Sequence, residues 1–428
     1  MCSTNGEVTV TAGPGTALLM DARVRHSPEA ERIDTRGEPP VWRAELPDGS
    51  AAWVASGYDA ARQVLTDSGF AKPAVRGGER WTDYLAFTGK EVTDSIVRSM
   101  LNTDGDLHRQ LRELGASAFT PERVRDTADR AETLAEALLD EIAGRGRADL
   151  VHEFAHPFAV RAITEHLGYP PDFVRRALEL RRWGPSPLFD PPGSPDRARY
   201  AADRTAMSEL LHDLVAFRRG SPGPDAVSGM IAHADAAGLD EGQLTSTLFL
   251  LLVSAYEPVA DFLTSSLYSL WHRPDLLADP ARVADGLGEL LRYTSPLAAT
   301  MPRFASRPME LYGAELAPGD AVIVHLALAN RDPRRFTAPN RLDLDRETGQ
   351  DLVFAHGPHF CLGSQFAVRL CRTALGAVLR RLPGLAAARP LDMLPWQRGS
   401  TGGITHLHVT AGLTELPVTF QPRHAVVS

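Results

Sequence analysis

Cysteine is scarce in this chain. Its 428 residues include three, Cys2, Cys361 and Cys371. That is too few for a disulfide framework, and no C-x-x-C pair offers a zinc site. A long apolar stretch is missing too. The longest strongly apolar run is LFLLLV, residues 248–253, whereas a membrane helix needs roughly 20 apolar residues. MCSTNGEVTV at the start lacks the basic segment and apolar core of a secretory signal. The expectation is a soluble, cytoplasmic protein with no membrane partner. Positive charge is in deficit as well. The formal net charge is -9, which argues against broad binding to nucleic-acid phosphates. No internal repeat and no linker interrupts the chain.

What remains is an ordinary globular composition, 43% hydrophobic and 23% charged. Helical spacing dominates from 106 to about 300, as in DLHRQLRELGASAF, ERVRDTADRAETLAEALLDEIAG and EGQLTSTLFLLLVSAYEPVADFLTSSLYSLW. Proline-rich breaks such as GPSPLFDPPGSP (184–195) separate the helices, and 361–382 is helical again. The β part is small. VWRAEL (41–46) and AAWVAS (51–56) flank a Pro-Asp-Gly turn and read as a hairpin. YGAELAPGDAVIVHLALAN (312–330) reads as two short strands about a Pro-Gly-Asp turn, and alternation over 400–420 suggests a last hairpin. Residues 1–40 look irregular, and 71–105 form a long polar loop of the kind that often carries function. The expected architecture is one domain, 1–428, mainly α with a small β part.

Cys361 stands in the loop FAHGPHFCLG (354–363), just before a helical pattern. Phe354, Gly357, His359, Cys361 and Gly363 fall at the spacing F-x-x-G-x-[HR]-x-C-x-G. A thiolate at a helix start is favoured by the helix dipole and by backbone N–H groups. Glycines let the backbone approach a flat partner closely, and His359 can donate to an acidic group on it. A lone cysteine is more often a buried core thiol, but the matched spacing argues against that here. Cys371, further along the helix, reads as a core or surface thiol. The loop resembles the haem-binding loop of the cytochrome P-450 family, in which this cysteine is the thiolate ligand of the iron.

Other segments fit the resemblance. Glu289 and Arg292 form an E-x-x-R pair that meets on one helix face. In the family such a pair joins a second arginine in a buried, purely structural network, and Arg341 matches that position. His108 and Arg112 lie four apart, an arrangement more often found on a solvated face. The resemblance implies that they hold haem propionates, together with Arg303 and His359. ANRDPRRF (329–336) also fits, so matching segments run in order from 106 to 370. The implied fold places haem b between a long central helix and the helix of the cysteine loop.

One stretch departs from the family. In LLLVSAYEPVADFL (250–263) the usual [AG]-G-x-[DE]-T-[TV] pattern keeps its acid as Glu257 but replaces the threonine with Pro258. In the family the acid relays protons and the threonine hydroxyl assists oxygen activation. Proline has neither hydroxyl nor N–H, so the Ser254 carbonyl loses its helix partner, at a cost of about 3 kcal/mol in an ordinary helix. A kink at 254–258 is expected, with that carbonyl open to water or to a substrate donor. Ordered water could replace the hydroxyl and leave hydroxylation intact. Alternatively the substrate supplies its own O–H or N–H, which suits radical coupling of phenols or indoles. Peroxide-driven turnover on fatty acids is disfavoured, because Glu257 would repel a carboxylate. A catalytically silent haem-fold partner protein is disfavoured by Cys361 and its complete loop.

From Phe354 to Arg381 there is no acidic residue, while Arg369, Arg372, Arg380 and Arg381 are present. The family docks an acidic ferredoxin on the cysteine side, so docking is expected near Arg369 and Arg372. Substrate contacts are expected from Trp81, Tyr84 and Phe87, from Trp183 to Phe189, from Tyr256, from Leu297 to Met301 with Thr300 among them, and from Thr401 to Thr405 with Ile404 among them. Such an apolar, aromatic lining suits an aromatic or cyclic-peptide-like metabolite. The expected activity is oxidative tailoring of a natural product, by hydroxylation or by aryl coupling, with a tryptophan-containing cyclic dipeptide as one such substrate.

Overall fold

The expected first hairpin is present in the computed structural model, which describes residues 12–45, 51–72, 98–180, 195–396 and 412–422. Strand β1 (Val41–Glu45) runs antiparallel to β2 (Ala51–Ala55), with Val41 opposite Ala55. The other strands are β3 (Phe70–Ala71), β4 (Arg147–Asp149), β5 (Arg303–Ala305), β6 (Met309–Leu311), β7 (Ala314–Leu316), β8 (Ala321–Val324), β9 (Ala386–Ala387) and β10 (Pro417–Thr419). The helices that bear on function are α1 (Tyr58–Thr66), α2 (Gly105–Ala116), α3 (Pro121–Ala143), α4 (His156–Leu167), α5 (Glu241–Trp271), α6 (Leu287–Thr294) and α7 (Ser364–Arg381).

The described residues divide into two compact units, each built from three separate stretches of chain. The first draws on 1–80, 264–361 and 389–415. It contains a sheet of order β1-β2-β8-β5-β3. The sequence AVIV of β8 is buried at every position, as expected of a strand covered on both faces. That explains a departure from expectation. The two strands about the Pro-Gly-Asp turn exist, but they do not pair with each other. β7, buried only on alternate residues, pairs with β6, while β8 runs parallel to β2 and antiparallel to β5. Val64, Phe70, Leu311, Val322, Val324 and Leu326 belong to the core of this unit.

The second unit draws on 81–263, 362–388 and 416–428. It is mainly helical, with the small sheet β4-β10-β9. β10 pairs with β4 and β9, and most of the stretch expected to form a last hairpin lies outside the described residues, at 400–411. α3 starts where Thr120 caps it, the hydroxyl accepting from the Arg123 N–H at 3.3 Å, with Pro121 in the first turn. α7 lies along α3. Their contact is closed by Arg380 on Glu132 and Glu136, and by Arg381 on Glu136 and Asp140.

The long helix α5 continues through Pro258 from Glu241 to Trp271. By length and composition it could cross a membrane, with a mean hydropathy of 1.4 over its most apolar window. Yet 67% of that window is buried inside the protein, the state of a core helix. Serine, threonine and Glu257 are interspersed along it, which keeps its longest uninterrupted apolar run to LFLLLV.

Candidate active site

The cysteine loop belongs to the first unit up to Cys361. It is closed on itself: the Cys361 N–H donates to the Phe354 carbonyl at 2.9 Å, and the Phe360 N–H donates to the Gly357 carbonyl at 3.0 Å. The Phe354 and Phe360 rings meet edge to face, 6.5 Å between centroids. Gly357 has φ +76°, and a Cβ there would lie 2.7 Å from the Leu65 carbonyl oxygen at the end of α1. Only glycine meets both demands. Ala355 is also left-handed, φ 58°, an uncommon state for a residue with a Cβ. His359 ends a short 3-10 turn, Gly357–His359. Cys361 is half-buried and not in a disulfide.

The residues after Cys361 belong to the second unit, where α2 backs them. A Cβ on Gly115 would lie 3.0 Å from Leu362 Cδ2, so α2 approaches Leu362 closely at a point with no side chain. Phe119 lies 3.5 Å from where a Cβ on Gly363 would be. Gly363 caps α7, which begins at Ser364. Cys371 sits inside α7, 2% exposed, and burial pushes its thiol well above the ordinary range. It is a core thiol, one of the two roles expected for it.

Of the expected propionate residues, His108 is 7% exposed on α2 and Arg303 is 4% exposed on β5. Arg112 follows His108 by one turn and is half-buried, as is His359. Pro302 and Arg303 follow Leu297 and Thr300. Leu297 packs on the core of the first unit, and the Thr300 N–H donates to the Val324 carbonyl at 2.9 Å.

On α5 the Ser254 hydroxyl donates to the Leu250 carbonyl at 2.6 Å and is exposed. Tyr256 is 2% exposed, with its ring 6.0 Å from that of His156 on α4. Its hydroxyl donates to Glu257 Oε1 at 3.1 Å. The acid that the motif singled out therefore has a phenol as its neighbour, a pairing that adjacency in sequence does not announce. Trp81, Tyr84, Phe87, Trp183, Phe189 and Ile404 lie outside the described residues.

The buried acid–arginine network is present with one correction. Glu289 and Arg292 on α6 are wholly buried and doubly bonded, Nε to Oε2 at 2.7 Å and Nη2 to Oε1 at 2.8 Å. The second arginine is Arg346, whose Nε lies 3.1 Å from Glu289 Oε2. Arg341 is exposed and contributes only its backbone carbonyl, which accepts from Arg346 at 3.4 Å. Both arginines lie in the irregular stretch 337–346, where no periodicity says which side chain turns inward. The expected basic stretch is also narrower than its sequence suggests. Arg380 and Arg381 are engaged by acids of α3, while Arg369 and Arg372 are exposed on α7.

These residues fit an iron porphyrin. Among the described residues no group of three His, Cys, Asp or Glu side chains could hold a bare metal ion. Cys361 can serve as the protein ligand of a metal that brings most of its other ligands itself, as the iron of a porphyrin does. Buried arginine and histidine are the donors that a carboxylate taken out of water requires.

A family model described as Cytochrome P450 matches residues 286–385. Cytochrome P450 107B1 of Saccharopolyspora erythraea is 35% identical over 92% of this chain and 96% of that protein. Nocardicin C N-oxygenase of Nocardia uniformis subsp. tsuyamanensis is 35% identical over 90% and 94%. Among solved structures, the cytochrome P450 enzyme CxnD, described as acting in C-S bond formation in chuangxinmycin biosynthesis, superposes with a TM-score of 0.76. Its identity is 28%, over 90% of this chain and 92% of that one.

Proposed function

This chain belongs to the cytochrome P450 family, and from that premise we propose that it tailors a natural product by oxidising an aromatic ring, joining indole or phenol units by radical coupling. Haem is the family's cofactor, and when bound it supplies oxygen activation: with O2 and two electrons from the donor it removes the two hydrogen atoms that one ring–ring bond replaces, the oxygen leaving as water. Cys361 would ligate the iron. His108, Arg112, Arg303 and His359 would hold the propionates. Glu257 would hold a proton beside the oxygen site, with the Tyr256 hydroxyl 3.1 Å from its Oε1.

The observation that carries the reading is Pro258. It sits inside a continuous α5, next to Glu257, and offers no hydroxyl and no N–H. The Ser254 hydroxyl, one turn back, is already committed to the Leu250 carbonyl at 2.6 Å. A substrate whose oxidisable ring carries O–H or N–H brings the missing donor with it. An aliphatic substrate does not. Among the relatives are an N-oxygenase and an enzyme of C-S bond formation, so reactions other than C–H hydroxylation have precedent in proteins of this similarity.

The test is a titration of the ferric holoenzyme with indole, phenol, macrolide and fatty-acid compounds, tryptophan-containing cyclic dipeptides included, followed at the Soret band. A low-to-high-spin shift with the indoles or phenols is expected. A shift confined to aliphatic compounds would sink the coupling proposal and return the chain to hydroxylation.

The proposed electron donor is an acidic ferredoxin docking over Arg369 and Arg372, in the cytoplasm. These arginines are exposed on the helix that follows the cysteine loop, and opposite charge raises encounter rates. Reversing both charges (Arg369→Glu with Arg372→Glu) should slow reduction by ferredoxin by about tenfold or more at low salt. Reduction by dithionite should not change. Equal slowing with both reductants would refute the docking site.

A further inference from the structure

α4 has the sequence HPFAVRAITEHL, and its buried side includes Phe158, Ala159, Ala162, Ile163 and Leu167. His166 stands among them, 3% exposed. Burial pulls the ring down to about 4, against a smaller opposing pull from the Ala118 backbone, so it is neutral near pH 7. Its surroundings are specific. His166 Nδ1 and Thr127 Oγ1 on α3 lie 2.7 Å apart. The same hydroxyl donates to the Arg123 carbonyl at 2.9 Å, which fixes it in place. The imidazole lies against two aromatic rings, Phe366 of α7 at 4.7 Å and Phe119 at 5.0 Å between centroids. Those two rings meet edge to face at 5.6 Å.

Phe119 links this cluster to the site, because its ring edge lies 3.5 Å from the Cβ position of Gly363. A leucine would fill the volume of His166 just as well. What the imidazole adds is a hydrogen bond that stops the ring from turning, and buried polar groups of this kind fix one arrangement among several of similar packing.

We propose that His166 is a positioning residue for the thiolate loop: anchored by Thr127, it holds Phe119 against the backbone at Gly363, two residues beyond Cys361, and so sets how firmly the iron ligand is held. This rests on the haem-thiolate reading above. The experiment compares wild type with His166→Leu, Thr127→Val, the double variant and His166→Asn, which keeps a hydrogen-bonding group at the Nδ1 position. Three quantities are measured on the holoenzyme: the thiolate-ligated to thiol-ligated ratio in the ferrous–CO spectrum, the ferric/ferrous potential, and Tm.

The expected result is a several-fold rise in the thiol-ligated fraction and a shifted potential in His166→Leu and in Thr127→Val. The double variant should go no further than the larger single change, and His166→Asn should recover most of the wild-type spectrum. If His166→Leu lowers Tm but keeps the wild-type ratio and potential, His166 is a packing residue and the proposal fails. A wild-type protein with no thiolate-ligated band would instead overturn the haem-thiolate reading itself.

Discussion

Cys361→Ser is expected to remove the thiolate-ligated band of the ferrous–CO protein and to bring oxidative turnover down to background. Cys371→Ala is expected to leave the band in place. The difference follows from where the two sulfurs sit. Cys361 is half-buried, three residues ahead of the first residue of α7, where the helix dipole and the unpaired first-turn N–H groups favour a thiolate. Its backbone is clamped by the bond to the Phe354 carbonyl at 2.9 Å and by Gly357, which has no room for a side chain against Leu65. Serine has much the same size, so the loop should keep its shape while the ligand chemistry changes. Cys371 is 2% exposed within α7, and burial raises its thiol far from ionisation at neutral pH. It cannot stand in. Haem content, the ferrous–CO spectrum and Tm of both variants decide the matter. A thiolate band that survives in Cys361→Ser would mean that another residue binds the iron.

The cysteine loop was readable in sequence because its determinants are local. Phe354, Gly357, Cys361 and Gly363 act through spacing along one short stretch, and the glycine that the spacing required is the one forced to φ +76°. The first hairpin was readable for the same reason. Partners far along the chain were not. Nothing in AVIV announces that β8 inserts between β2 and β5, because strand pairing depends on what the fold brings alongside. Arg341 and Arg346 cannot be told apart in sequence, because they differ only in which way an irregular segment turns them. Arg380 and Arg381 looked like free positive charge, although Glu132, Glu136 and Asp140 repeat every four residues along one face of α3. A pattern of that kind is visible in sequence, but its partner helix is not. His166 gave no signal at all, since one histidine on an apolar face carries no motif.

Glu289→Gln is expected to cost about 3–5 kcal/mol, against a total stability of roughly 5–15 kcal/mol for a typical folded protein. Arg292→Met should cost as much. Both side chains of the pair are 0% exposed, so removing either charge strands its partner where water cannot reach. Arg346→Ala should have a smaller but clear effect, because its guanidinium also holds the Thr337 carbonyl at 2.8 Å and the Ala338 carbonyl at 3.1 Å. Arg341→Ala, at an exposed position, should stay within about 0.5 kcal/mol. Urea midpoints of the four variants rank these expectations, and equal losses for Arg341→Ala and Arg346→Ala would undo the assignment of the second arginine. The damage should also reach the iron ligand. Arg292 Nη1 donates to the Asn330 carbonyl at 2.6 Å, and Asn330 Oδ1 accepts from the Leu352 N–H at 2.6 Å. Leu352 in turn accepts from the Ala355 N–H at 3.0 Å, and the neighbouring Phe354 carbonyl receives the Cys361 N–H. The network thus leads by hydrogen bonds and short lengths of chain from α6 to the cysteine. In Arg292→Met the thiol-ligated form should therefore gain on the thiolate-ligated form at temperatures where the protein is still folded. A variant that loses stability but keeps its ligand spectrum unchanged up to the unfolding transition would show that the network braces the fold alone.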